Sequence, residues 1–238
     1  MTAADNLIAS TRGRFGTILA DPPWQFQNRT GKMAPEHKRL ARYGTMPLQD
    51  IKELPVHMFA AERSHLYLWV PNAMLEDGLA VMRAWGFQYK SNIVWHKVRK
   101  DGGSDGRGVG FYFRNVTELI LFGVRGKSVR TLPPGRRQVN LIGTRKREHS
   151  RKPDELYKLI ETCSWGPYLE LFARTRRENW TVWGNQAPDE NGGFTGPTYG
   201  RAYSANDEID EAVFLNERQL RLYESEPPRS SASAKKSA

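Results

Sequence analysis

The sequence predicts an α/β domain: a mostly parallel sheet with helices on both faces. Short runs of β-branched and aromatic residues alternate with helical patterns along most of the chain, which is the rhythm of strands joined by crossover helices. The length of 238 residues, with 39% hydrophobic and 26% charged, suits one such domain and buries roughly 70–75% of the surface the unfolded chain exposes. The first strand ends in an acidic residue and two prolines, at the strand end where open α/β sheets bind ligands.

Residues 1–16 read as a lead-in, and 17–200 as the domain. Thr17-Ile18-Leu19-Ala20 is the first strand, stopped by Asp21-Pro22-Pro23-Trp24 because proline supplies no ladder donor and no helix interior. Residues 25–42 are polar and basic and read as a loop. Tyr43-Gly44-Thr45-Met46-Pro47 then reads as a turn into a short helix capped by Thr45. His65–Val70 is a strand, and Ala73–Trp85 a helix with Leu75, Leu79, Met82 and Trp85 inward and Gly86 as terminator. Tyr89–Val98 is a strand, 99–114 a glycine-rich basic loop, and Glu118–Val124 another strand. After a basic segment, Pro153 opens a helix with Leu156, Leu159, Ile160 and Cys163 on one face. Tyr168–Phe172 and Trp180–Trp183 are strands, the latter followed by Gly184-Asn185-Gln186. Asn206–Tyr223 reads as an acidic helix within a helical appendage over 201–223. The small-residue, Ser-rich stretch 224–238 reads as a flexible tail.

One cysteine excludes an internal disulfide and a multi-cysteine zinc cluster, and no metal site is expected. The N-terminus lacks a signal-peptide core and no 18-residue apolar run occurs, so the expected setting is cytoplasmic, without membrane insertion. The net charge is 36 − 26 = +10. It is concentrated: ten Lys and Arg lie between Arg125 and Lys152, against the single acid Glu148. Such a run is either the footprint of a polyanion or a solvated basic face. On the first reading Arg145, Lys146 and Arg147, with Lys97, contact nucleic acid.

The string Asp21-Pro22-Pro23-Trp24 recurs by chance of order once in a few thousand chains of this length. Its residue types suit an exocyclic amine. A planar NH₂ must have its hydrogens accepted while its nitrogen faces a methyl donor; Asp21 and the Pro22 carbonyl can accept, Pro22 and Pro23 fix the backbone, and Trp24 offers a stacking face.

Here the chain resembles the amino-methyltransferases with a DPPW motif, a family that includes the eukaryotic messenger-RNA N6-adenosine methyltransferase and bacterial and phage adenine methyltransferases. Tyr43-Gly44-Thr45-Met46, Leu68-Trp69-Val70, Ile93-Val94-Trp95-His96-Lys97, Phe122 to Gly126, His149 to Glu155, Glu170 to Arg174 and Asn179 to Gln186 look like the family's blocks in the family's order. The resemblance implies a Rossmann-like S-adenosylmethionine-dependent methyltransferase sheet, permuted so that the catalytic motif precedes the cofactor motif. It implies catalysis at Asp21, Pro22, Pro23 and Trp24, and cofactor contacts at Asp21, Lys152, Glu170, Arg174, Asn185 and Gln186. Tyr43 matches an aromatic near the substrate. Ala173 and Arg176-Arg177 depart from the glycine and His-Asn of the nuclear relative.

The resulting expectation is an N6-adenine methyltransferase acting on DNA, DNA being favoured because the chain reads as a compact catalytic core. RNA is the alternative substrate, and a catalytically silent nucleic-acid-binding partner subunit the alternative from another class. A homodimer or a heteromeric methyltransferase partner is compatible with either.

Overall fold

A computed structural model describes residues 2–25, 45–105, 112–145, 152–191 and 193–196. Seven strands form one sheet: β1 (Phe15–Ala20), β2 (Ala60–Val70), β3 (Gln88–Val98), β4 (Thr117–Arg125), β5 (Leu141–Arg145), β6 (Tyr168–Leu171) and β7 (Trp180–Trp183). Their order is β5-β3-β4-β2-β1-β6-β7. β4 pairs antiparallel with both neighbours, whereas β1–β2, β1–β6, β6–β7 and β3–β5 are parallel pairs. The expected mostly parallel α/β sheet is therefore present, with one reversed strand inserted near its middle.

Strand alternation divides the core into two layers. Ile18 and Ala20 of β1 and Leu66, Leu68 and Val70 of β2 face one layer, with residues of α1 (Ala3–Ser10), α2 (Leu48–Glu53) and α3 (Leu75–Ala84). Leu19, Tyr67 and Trp69 face the other, with Leu156, Leu159, Ile160 and Cys163 of α4 (Glu155–Cys163). Cys163 is inward, as its helical spacing predicts, and burial pushes its thiol up to about 11.

Several local expectations change. The lead-in contains α1, opened by a reciprocal Thr2/Asp5 capping box and anchored by fully buried Leu7. Thr45 does not cap α2; its N-cap is Pro47, without a side-chain bond. In α3 the buried residues are Gly78, Val81 and Met82, while Leu75 is exposed. Gly78 is inward because a Cβ there would lie 2.5 Å from Val70 Cγ2, so only glycine lets α3 approach β2 this closely. Gly86 ends that helix as predicted: at φ +83° it donates to the Arg83 carbonyl while Phe87 donates to that of Met82, a Schellman closure. The basic segment contains β5, whose Ile142 and Thr144 are buried against the sheet. β6 stops at Leu171 because Phe172 takes φ +63°. Within the glycine-rich loop, Arg99 and Asp105 fold back through N–H bonds to Gly103 and Lys97 carbonyls. The loop 25–42 beyond Gln25, the 201–223 helix and the tail lie outside the described residues. No helix among the described residues is long and apolar enough to cross a membrane.

Where β7 ends, Gly184 passes against the exit of β6 so closely that a Cβ would lie 2.2 Å from the Ala173 oxygen and 2.6 Å from its nitrogen. Both are backbone atoms, so neither can rotate away. Gly184→Ala is expected to lower stability by about 3 kcal/mol, measured by urea unfolding with an unchanged m-value.

Candidate active site

The reversal of β4 decides what gathers at one edge of the sheet. The carboxyl ends of β1, β3, β5, β6 and β7 meet the amino end of β4 there. That edge carries Asp21, Lys97, Glu118, Arg145, Glu170 and the turn after β7.

Asp21 leaves β1 with its N–H directed to the Leu171 carbonyl at 3.4 Å. The two prolines then turn the chain, and each carbonyl takes a backbone donor: Trp24 N–H to Pro22 O and Met46 N–H to Pro23 O, both 2.8 Å. Two sequence expectations need correction here. The Pro22 carbonyl is already engaged through one lone pair, and Trp24 is 5% exposed, packed in the core with its indole N–H donating to the Trp69 carbonyl at 3.0 Å. An indole committed in this way fastens the turn to the end of β2 and offers no open stacking face.

Beside Asp21 runs a line of alternating charges. Lys152 Nζ lies 3.4 Å from Asp21 Oδ1 and 2.8 Å from Glu118 Oε2, and Lys97 Nζ lies 2.6 Å from Glu118 Oε1. The four side chains are only 15–26% exposed. Indole faces complete the lysines' surroundings: Lys152 sits 4.6 Å from the Trp69 ring centroid and Lys97 5.0 Å from that of Trp95. Burial works to raise the Glu118 carboxyl, but Lys152 and Lys97 together outweigh it and hold it at about 2. For Lys152 burial works downward, and Asp21 and Glu118 overcome it, leaving the ammonium above its ordinary value. Lys97, expected to contact nucleic acid, is an internal member of this network. Asp21 Oδ2 has no hydrogen-bond partner among the described residues, so the carboxylate keeps an oxygen for another donor.

On the other side of Asp21, Glu170 of β6 accepts a 2.8 Å bond from the Tyr157 hydroxyl. Burial pushes its carboxyl up to about 7, against Tyr157 and Arg177, and the charge of Asp21 acts with burial. Arg177 stacks 3.8 Å over the Tyr157 ring and reaches Asp154 at 3.3 Å. Arg174 is exposed, close enough for its charge to bear on both Lys152 and Glu170. Asn185 and Gln186, both half-buried, follow Gly184, whose N–H donates to Thr195 Oγ1 and whose carbonyl accepts from Gly196 N–H, each at 2.9 Å.

The structure therefore brings together Asp21, Lys152, Glu170 and Arg174, with Pro22, Pro23 and Trp24 forming the turn that sets Asp21. Arg145 ends β5 at the same edge. Tyr43, Lys146 and Arg147 lie outside the described residues. Sequence reasoning missed Glu118, the residue on which both lysines converge, and Tyr157, which holds Glu170. The available signal for Glu118 was a carboxylate at the start of an otherwise apolar strand.

The family described as MT-A70 matches residues 15–186. The chain is 30% identical over 187 residues to the human N(6)-adenosine-methyltransferase catalytic subunit METTL3, covering 76% of this chain and 29% of that protein. It is 31% identical over 180 residues to the Arabidopsis thaliana N(6)-adenosine-methyltransferase MT-A70-like, covering 73% and 24%. It is also 28% identical over 201 residues to the type II methyltransferase M.MunI of a Mycoplasma species, covering 75% and 80%. The chain thus spans about a quarter of the length of its plant and animal relatives and most of the bacterial one. With the family match running from β1 through the turn after β7, the chain belongs to the MT-A70 family.

Proposed function

We propose that this chain transfers a methyl group from S-adenosylmethionine to the N6 amine of adenine in a nucleic acid, with DNA as the substrate. One observation carries the reading: at the carboxyl edge, Asp21 is held through Oδ1 by Lys152 and keeps Oδ2 without a partner among the described residues, which suits acceptance of an amine hydrogen. The DNA assignment is supported by the type II methyltransferase, most of whose length this chain matches. Relatives named for N(6)-adenosine support RNA as the second reading, and the name "catalytic subunit" borne by METTL3 supports a heteromeric partner.

The donor set fits the cofactor. Lys152 would meet its carboxylate, Glu170 and Arg174 its ribose end, and Asn185 and Gln186 its ribose or adenine edges, the close backbone packing of Gly184 on Ala173 setting where those two residues leave β7. Bound there, S-adenosylmethionine supplies an electrophilic methyl on sulfur. The chain's own work is alignment: the diproline turn fixes where Asp21 stands, and Asp21 Oδ2, with the remaining lone pair of the Pro22 carbonyl, accepts the N6 hydrogens and turns the nitrogen outward. On transfer the methyl–sulfur bond would break as the N–C bond forms, the neutral thioether being the leaving group, and Asp21 would pass the surplus N6 proton to solvent. A base brought to this edge must stack on something other than Trp24.

The direct test is methyl transfer from labelled S-adenosylmethionine to matched DNA and RNA, single and double stranded, followed by nucleoside digestion. N6-methyldeoxyadenosine from the DNA arms is the expected product; methyl transfer to RNA alone moves the assignment to RNA, and no transfer to any arm overturns it. Asp21→Ala is expected to lower the rate by at least about 1000-fold while oligonucleotide affinity, read by anisotropy, stays at the wild-type value.

Two acid–base predictions follow from the carboxylates flanking Asp21. Glu118 sits at about 2 in the folded chain against an ordinary 4.5, so its stabilisation is full above pH 4.5 and fades as pH falls toward 2. Glu118→Gln should cost roughly 3 kcal/mol at pH 7, with the gap from wild type closing over that acid range in denaturant titrations. Glu170 has the opposite sign: raised to about 7, its contribution is full below pH 4.5 and is lost as pH rises through 7. Glu170→Gln in cofactor-free protein should therefore gain Tm relative to wild type between pH 5 and pH 8.

A further inference from the structure

At the opposite edge, where β2 begins and β4 ends, a cleft of about 400 Å³ is lined by Arg63, Arg130, Arg136, Trp165, Ser128 and Thr131. From Arg125 to Arg137 the chain carries five Lys and Arg and no acid. The wall is built into the fold. Gly126 turns the chain out of β4 at φ +93°, where a Cβ would lie 2.5 Å from the Glu62 carbonyl oxygen. Leu132 N–H donates to the Cys163 carbonyl at 2.8 Å, and Gly135 lies so close to the end of α4 that a Cβ would be 2.5 Å from Cys163 Sγ.

Two of the three guanidiniums, those of Arg63 and Arg136, are aimed by backbone carbonyls. Arg63 Nη2 donates to the Ser128 carbonyl at 3.4 Å and its guanidinium lies 5.9 Å from the Trp165 ring centroid; Arg136 Nε donates to the Thr131 carbonyl at 3.3 Å. Among the described residues no carboxylate pairs with Arg63, Arg130 or Arg136. Three like charges around one concave wall repel until an anion enters, and guanidinium forks match the paired oxygens of a phosphate.

We propose that this cleft binds a backbone phosphate of the nucleic-acid strand, at a second contact point remote from the candidate active site. Ser64 and Val70 mark the two ends of β2 in its pairing with β4, six residues apart, and at about 3.3 Å per residue the separation is roughly 20 Å. The strand as source of the phosphate rests on the nucleic-acid reading above; the phosphate chemistry does not.

The test uses the full chain as wild type, R130Q/R136Q, and the charge-matched control R83Q/K90Q, all four positions being exposed. Anisotropy with a labelled single-stranded oligodeoxynucleotide is titrated across salt concentrations, and thermal shift is recorded with inorganic phosphate at constant ionic strength. R130Q/R136Q should flatten the slope of log K against log salt by about 0.7–1.4, one or two phosphates' worth, and lose the phosphate-induced rise in Tm. The control should match wild type in both. Equal slopes in the three proteins overturn the proposal; equal slopes with a phosphate shift lost only in R130Q/R136Q assign the cleft to free phosphate and overturn the backbone contact. Cofactor-induced stabilisation, recorded in parallel, keeps this outcome separate from failure of the methyltransferase reading.

Discussion

A glutamate shared by two lysines holds the functional edge of this molecule together. Desolvating a carboxylate or an ammonium costs several kcal/mol each after relaxation, so none of the four groups in the Asp21–Lys152–Glu118–Lys97 line is stable alone at this depth. Taken in sequence they alternate in sign, two negative and two positive, and each inner member is bonded on both sides. Lys152, just before α4, is thereby drawn to β1 and β4 by electrostatics. Indole faces at Trp69 and Trp95 shield the lysines without competing for their protons.

The topology is what makes that line possible. In a sheet of parallel strands only carboxyl ends would meet at this edge, and a residue at the start of a strand would lie about a strand length away. β4 runs the other way, so Glu118, near its first residue, arrives between Lys97 at the end of β3 and Lys152 above β2. The Asp-Pro-Pro-Trp turn obeys a similar economy: both proline carbonyls are tied down by nearby N–H groups, and the tryptophan indole is tied to the end of β2. Rigidity of the turn comes from these bonds as much as from the proline rings.

Most strands were readable because their patterns are local. The short buried run of His65 to Val70, the helical spacing of α4 and the inward Cys163 require no knowledge of neighbours, and the motif at 21–24 announces itself by composition. What escaped depends on partners far along the chain. β5 is short and embedded in basic residues, so its strand character shows only when Ile142 and Thr144 meet β3. Thr45 has a capping side chain, yet Pro47, already in extended backbone, starts α2 without one. Trp24 reads as a stacking surface from residue type alone; its burial follows from the bend of the turn toward β2. Glu118 was invisible because its importance lies in which two lysines converge on it, and that is a property of strand direction.

The balanced line at Asp21 and the acid-free basic segment at the far end of the sheet differ in charge, and this constrains how a nucleic acid could be handled. The four-residue line at the carboxyl edge sums to no net charge, so it has little attraction for a phosphate and is suited to neutral base edges and to a zwitterionic amino-acid group. Affinity for a polyanion must come from groups outside that line, among them the segment from Arg125 to Arg137 at the other edge, which holds five Lys and Arg and no acid. Separation of the two tasks has a physical advantage. Arginines about 20 Å away hold a strand without competing with the amine hydrogens for the oxygens of Asp21. The line of side chains around Asp21 is thus kept internally balanced, and long-range attraction is left to groups outside it.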